Sequence, residues 1–388
     1  MEILERNIET LLPAQKDFEE ALVLKRVLRV KLGIDPTGPH IHIGNAVALW
    51  KLREFQDMGH KVVLIFGDFT ARIGDPSDKD KRRPVLTKEE IDKNVESYIS
   101  QIGKILDTKK IELHYNSEWH DKMSEADLIK LSRLLTVNQM LARRNFSERV
   151  KEKKEIGIDE FLYPLLQGYD SVAIRADIEL GGTDQLFNLE VGRIIQEAYG
   201  QKPQLIMATK MLWGLDKRKM SKSWGNVVNI NDEPSDMFGK IMSLDDSLIF
   251  DYFELATSLS REKIREIEAI KHIKEQKELL AYEIVRRYHG EEEAQKAKEE
   301  FVSMFSKKEM PRDIESKVVT MEATPAILVD TGLAPSISEA KRLIEQKGVK
   351  FNGKIVDENT KINEEGILQV GKRKFIKVIP DDTKQKSP

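Results

Sequence analysis

Two strand-like runs, Val30 to Ile34 and Val62 to Phe66, flank a stretch from Asn45 to Met58 whose apolar residues recur at helical spacing. A strand, a helix and a strand in that order spell a crossover unit, and such units build parallel sheets with helices on both faces. The alternation continues: Thr87 and Glu90 form a capping box that opens a long helix, and IELHY (111–115) reads as another strand. The first residues, MEILERNIETLLP, read as an amphipathic helix.

With 388 residues the chain is too long for one small domain. From about Asp127 to Lys154 the pattern is helical and basic, ending in RVKEKKE, and it interrupts the strands as an inserted arm would. Residues from about Pro234 to Met310 carry helical spacing without strand signals, which predicts a separate all-α domain. After a polar, Pro-containing linker the character changes again. Ser336 to Glu339 is a second capping box, and GVKFNGKIV (348–356) predicts two short strands turned at Asn352-Gly353. The expected division is 1–232 for the Rossmann-like α/β domain with a helical insertion at about 120–160, 233–322 for the helical domain and 326–388 for a small α+β domain.

The net charge of -3 excludes a uniformly basic chain that coats nucleic acid, so any RNA contact must be local. Residues 326–388 carry 12 Lys and Arg against 9 Asp and Glu and form the basic part. There is no cysteine, which removes disulfides, thiolate metal sites and thiol nucleophiles. No apolar run approaches the roughly 18 residues of a membrane span, and no signal or transit segment is evident. A soluble, cytoplasmic protein is expected.

Two segments carry chemistry. In KLGIDPTGPHIHIGN (31–45), residues Pro36 to Gly44 fill the turn between strand and helix, where phosphates bind in parallel sheets. His42 and Asn45 offer hydrogen bonds at the helix start, and Gly44 leaves room for a nucleotide. In LDKRKMSKSWGN (215–226), Lys219 and Lys222 lie three apart on a small polar loop, suited to neutralising a departing polyphosphate. Neither Walker nor Rossmann glycine fingerprints are present, so kinase, P-loop ATPase and dehydrogenase readings lose their usual signals.

HIGN followed some 175 residues later by KMSKS resembles the paired signatures of class I aminoacyl-tRNA synthetases. FLYPLLQGYDSVAIRADIELGGTDQ (161–185) and GDFTARIGDPSDKDKRR (67–83) narrow the resemblance to the tyrosyl-tRNA synthetases, and the terminal part resembles the RNA-binding fold of ribosomal small-subunit protein four. The resemblance spans essentially the whole chain. It implies a homodimer that binds L-tyrosine, ATP and tRNA(Tyr), with magnesium accompanying ATP and no dedicated protein metal site. The arm from Asp127 to Arg144 would lie near the two-fold axis, with Leu134, Leu135, Val137 and Met140 as candidate contacts or core residues.

Carried over by residue, the resemblance gives Asp170 the substrate hydroxyl and Tyr163, Gln167 and Asp75 the α-amino group. Tyr163, Gln167 and Asp170 stand four and three apart, so a helix places them on one face. Gly33, Asp35, Thr37, Gly44, Gly182, Asp184 and Gln185 would line ATP and the adenylate. His42, Asn45 and Thr37 would meet the α and γ phosphates, and Lys79, Arg83, Lys219 and Lys222 the pyrophosphate. Many tyrosyl enzymes have tyrosine where this chain has Lys31, which leaves the second partner of the substrate hydroxyl open. Rival readings are a tryptophanyl enzyme, an inactive RNA-binding paralogue, and a dinucleotide-forming nucleotidyltransferase. Asp170 and the terminal domain disfavour the first, and the intact HIGN and KMSKS disfavour the second. The helical and RNA-binding domains disfavour the third.

Overall fold

A computed structural model describes residues 2–24, 26–76, 87–221, 224–306, 316–319, 324–362, 364–371 and 374–380. The chain forms two compact units, Met1–Glu299 and Glu300–Pro388.

The first unit is built on strands β1 (Ile8–Leu12), β2 (Arg29–Ile34), β3 (Lys61–Phe66), β4 (Glu112–Tyr115), β5 (Ile178–Gly182) and β6 (Leu205–Thr209), ordered β1-β6-β5-β2-β3-β4. β2 to β6 pair parallel with one another, as the crossover pattern predicts. Val62 to Phe66 are at most 1% exposed, because helices cover both faces of a parallel sheet and leave no side for solvent. At about 1.5–3 kcal/mol per fully buried large apolar side chain, this interior strand contributes to the unit's stability.

One expectation fails at the start of the chain. The helix read from the first residues is only a short 3-10 turn, Glu2–Leu4, followed by Asn7 at φ 63° and the extended β1, which pairs antiparallel with β6. A strand that borders an existing sheet gains ladder hydrogen bonds that the helical spacing of a lone segment does not register.

Between β4 and β5 lie three short helices, Glu125–Ser132, Val137–Leu141 and Arg144–Lys151. Leu131 and Met140 are buried and Leu134 and Leu135 partly buried against the helices Ile158–Ile174 and Leu186–Ala198, whereas Val137 is 62% exposed. Among the described residues, every secondary-structure element from Pro234 to Ser306 is a helix. These helices belong to the same compact unit as the sheet, and Trp50 Nε1 donates to the Tyr288 hydroxyl at 3.1 Å.

The second unit has a sheet of β7 (Ser316–Val319), β8 (Val349–Phe351), β9 (Lys354–Ile355), β10 (Gly366–Val370) and β11 (Lys374–Pro380), in the order β7-β11-β10-β8-β9. β8 and β9 are antiparallel and meet at Asn352-Gly353 as predicted. The helices Thr324–Asp330 and Ile337–Glu345 cover its core, and Ser336 caps the second through the Glu339 N–H.

Candidate active site

The strand order reverses between β2 and β5, so their connections leave in opposite directions and open a crevice at the carboxyl ends of the strands. Asp35 follows β2 there, and Gly182 ends β5. The turn after β2 is held by side chains of the helix Lys88–Ile102. Asn94 Nδ2 donates to the Pro36 carbonyl at 2.9 Å, Ser97 Oγ to that of Pro39 at 2.7 Å, and the Ile41 N–H donates to Gln101 Oε1 at 2.8 Å. A loop with two prolines and little backbone pairing needs such partners to hold one shape.

His42 caps the helix Ile43–Asp57, with Nδ1 accepting the Asn45 N–H at 3.2 Å. Asn45 is exposed, at the first turn, where backbone N–H groups and the helix dipole favour an anion. The first signature segment pairs by backbone with the chain just after the second: the Ile43 N–H donates to the Val228 carbonyl at 2.9 Å and the Ile230 N–H to that of Ile41 at 3.0 Å. The two segments also lie close together, since a Cβ added at Gly44 would come within 3.0 Å of the Met220 sulfur. Lys219 Nζ reaches Asp184 Oδ2 at 2.9 Å. Gly33 and Thr37 are exposed beside this crevice.

The helix Ile158–Ile174 presents Tyr163, Gln167 and Asp170 on one face, and each has a defined partner. The Tyr163 hydroxyl donates to Asp35 Oδ2 at 2.9 Å, while Thr70 donates to Asp35 Oδ1 at 2.9 Å. Burial, reinforced by the Asp35 and Asp75 carboxylates, pushes the Tyr163 phenol well above its ordinary pKa, so it remains a neutral donor. Asn188 Nδ2 bridges Gln167 Oε1 and Gln185 Oε1, both at 2.9 Å, and Gln185 Nε2 donates to Asp75 Oδ2 at 2.6 Å. Arg143 stands 3.5 Å from Asp75 with its guanidinium over Phe146 and Phe187. Asp170 is buried and meets Asn116, Trp119 and His120.

Lys31 does not serve the pocket with its charge. Its Nζ pairs with Glu179 at 2.7 Å and donates to Ser171 Oγ at 2.8 Å and the Gln167 carbonyl at 3.2 Å, with both charged side chains at most 1% exposed.

The crevice thus gathers Gly33, Asp35, Thr37, His42, Gly44, Asn45, Asp75, Tyr163, Gln167, Asp170, Gly182, Asp184, Gln185 and Lys219 around the carboxyl ends of β2 and β5 and the helix between them. Lys79, Arg83 and Lys222 lie outside the described residues. Thr70, Asn116, Trp119, His120, Arg143 and Asn188 were not singled out from sequence. For Asn116 to His120 a signal existed, because they directly follow β4, a third parallel strand whose carboxyl end also faces the crevice. Among the described residues no three His, Asp or Glu side chains are arranged to hold a metal ion, and no helix is long and apolar enough to cross a membrane.

Residues 24–306 match the profile of class I tRNA synthetases (W and Y), and residues 325–367 match the S4 domain. The tyrosine–tRNA ligase of Thermotoga maritima is 49% identical over 99% of this chain and 98% of its own length. That of Nitrosomonas europaea is 48% identical over 97% and 95%. The fold is shared with a tyrosyl-tRNA synthetase of Archaeoglobus fulgidus solved with L-tyrosine, at TM-score 0.61 and 23% identity over 76% of this chain and 97% of that one. A truncated mitochondrial tyrosyl-tRNA synthetase of Aspergillus nidulans aligns at TM-score 0.64 and 20% identity, covering 78% and 92%. The parallel sheet with its reversed order, the paired signature segments and the near full-length identity agree: this chain belongs to the tyrosine–tRNA ligase family of class I tRNA synthetases.

Proposed function

We propose that this chain joins L-tyrosine to tRNA(Tyr) in two steps. The tyrosine carboxylate attacks the α-phosphorus of ATP, the bond to the β-phosphate breaks, and pyrophosphate leaves tyrosyl-adenylate behind. The terminal ribose hydroxyl of the tRNA then attacks the tyrosyl carbonyl and AMP departs. The observation that carries this reading is a buried carboxylate, Asp170, on the same helix face as Tyr163 and Gln167 and fixed by nitrogen donors, a fit for a phenolic hydroxyl.

In this reading Asp170 accepts the hydroxyl, and Tyr163, Gln167 and Asp75 surround the α-amino group. Gly33, Asp35, Thr37, Gly44, Gly182, Asp184 and Gln185 line the nucleotide. His42, Asn45 and Thr37 meet the phosphates, and Lys79, Arg83, Lys219 and Lys222 the leaving pyrophosphate, where charge grows in the transition state. No protein nucleophile takes part, so rate comes from positioning and charge stabilisation. Magnesium enters with the ATP phosphates, a mode that needs few protein ligands. Residues 1–232 do the chemistry, 233–322 face the anticodon side and 326–388 grip RNA. The working form is a cytoplasmic homodimer; exposed Ile129 and Val137 on the arm are available to its interface, whereas Leu134, Leu135 and Met140 are engaged within the subunit.

ATP–pyrophosphate exchange run with each amino acid in turn tests the assignment. Tyrosine alone should support rapid exchange; tryptophan-dependent exchange would overturn the substrate, and no exchange with any amino acid would overturn the activity. Light scattering at micromolar protein checks the dimer, and a monomer would remove the arm from the interface.

A further inference from the structure

We propose that Arg143 and Asn145, on the inserted arm, are positioning residues that brace the corner Gly74-Asp75-Pro76 and so present the Asp75 carboxylate to the α-ammonium of the substrate. The proposal rests on the reading of Asp75 as a partner of that ammonium. Part of the corner is shaped by its own backbone. Gly74 stands at φ 82°, a conformation that favours glycine, and its N–H donates to the Thr70 carbonyl at 2.9 Å. Pro76 disfavours a helical conformation at Asp75 before it.

The arm supplies the rest, through two residues of one turn that grip two successive residues of the corner. Arg143 Nη2 lies 3.5 Å from Asp75 Oδ1, while Gln185 Nε2 donates to Oδ2 at 2.6 Å, so each oxygen of the carboxylate has a nitrogen beside it. Asn145 Nδ2 donates to the Pro76 carbonyl at 2.5 Å. Pro76 is buried, and a buried carbonyl without a donor is costly. Among the described residues Asn145 Oδ1 is buried with no partner, so the bond to Pro76 is what orients this amide.

Arg143 is itself fixed. It is 7% exposed, with its guanidinium 5.6 Å from the centroid of the Phe146 ring and 5.4 Å from that of Phe187. These contacts and the Asp75 charge together offset the burial of the cation. Phe146 meets Phe161, on the helix of Tyr163, edge-on at 5.0 Å, and Phe187 follows Gln185 by two residues. One guanidinium thereby joins the arm, the corner and the turn after β5. Without Arg143 the carboxylate loses its hold at Oδ1 and can turn about its terminal bond, a torsion with broad wells. Without Asn145 the corner loses its anchor. A positive charge beside Asp75 also opposes an incoming ammonium, so charge alone would make Arg143→Met bind substrate more tightly. Positioning predicts the opposite sign.

The test compares tyrosine, tyramine, which keeps the ammonium, and desaminotyrosine, which lacks it. KM for tyrosine and inhibition constants for the other two are measured by ATP–pyrophosphate exchange on full-length Arg143→Met, Asn145→Ala and Asp75→Asn. Arg143→Met should weaken tyrosine and tyramine roughly tenfold and leave desaminotyrosine within about twofold. Asn145→Ala, which changes no charge, should act in the same direction by about threefold or more. An equal loss for all three compounds would make the arm merely structural, and unchanged or tighter tyramine would leave charge without positioning; either overturns the proposal. If Arg143→Met fails to fold, the half-buried Asn145→Ala decides alone. A wild-type ratio of tyramine to desaminotyrosine in Asp75→Asn would refute the ammonium reading of Asp75. A collapsed ratio there, with both arm variants unaffected, would refute this proposal only.

Discussion

At the scale of single residues, a charge that sequence spacing does not explain is held by several partners in the structure. Lys31 stands inside a run of apolar strand residues, and its ammonium is buried against Glu179, which also accepts from Ser171 Oγ at 3.0 Å and from Gln204 Nε2. A buried pair of this kind adds little net stability, because desolvation offsets attraction, but removing one partner strands the other charge. Lys31→Met should therefore destabilise the chain by about 3–5 kcal/mol, and Lys31→Met with Glu179→Leu should recover much of the loss. Denaturant unfolding of the single and double variants measures both, and additive losses would deny the coupling. Sequence spacing brought Tyr163, Gln167 and Asp170 together because one helix suffices for that. It left Asn116, Trp119 and His120 unnoticed although they directly follow β4, because spacing alone does not give the order of strands that brings them to Asp170.

At the scale of elements, the crossover units were legible from strand-like runs flanking a helical pattern, and the signature loop from its letters, but not what anchors that loop. Asn226, in the WGN that ends the segment, is buried and ties three strands of chain together. Its Oδ1 accepts the Ser221 N–H at 2.8 Å, and its Nδ2 donates to Asp216 Oδ1 at 2.8 Å and to the Lys219 carbonyl at 3.1 Å. Hydrogen bonds from Arg218 and then Asn226 hold the Asp216 carboxyl down at about 2. Gly214 closes the same knot: any Cβ there would overlap the Asn226 amide. Asn226→Ala removes three hydrogen bonds from a buried amide, at about 1–3 kcal/mol. With Lys219 no longer held in register, KM for ATP in exchange should rise roughly tenfold, while equilibrium binding of tyrosine stays unchanged. An unaltered KM for ATP would show that the loop keeps its shape without the amide. The basic run RVKEKKE repeats the lesson, since Arg149 within it is not a solvated charge. It forms a buried two-pronged pair with Glu160, at 2.7 and 2.9 Å, and so clamps the inserted arm to the first turn of the helix that carries Asp170.

At the scale of the molecule, the division of labour follows from where each core lies. The second unit buries Val319, Ile327, Leu328, Leu333, Ala334, Ala340, Ile344, Val349, Val356, Ile362, Leu368, Val370, Ile376 and Val378 in one cluster drawn only from its own residues. The sheet of the first unit likewise takes no strand from beyond Thr209. Neither core needs the other, so a chain ending at Ser306, after the last helix of the helical stretch, should fold and keep the crevice whole. The two activities should then separate. ATP–pyrophosphate exchange uses only tyrosine and ATP and should persist near its full rate, whereas charging of tRNA loses the contacts of the segment where Lys and Arg exceed Asp and Glu by 12 to 9. Because each phosphate neutralised by such a cation releases counterions, charging by the full chain should also weaken steeply with added salt. The truncated chain should show a shallower salt slope, and exchange should show little in either form. Steady-state measurement of both reactions across a salt series reads all three expectations. Exchange and charging lost together on truncation would mean that the terminal unit supports the catalytic one; an unchanged salt slope would mean that its basic residues do not touch the RNA backbone.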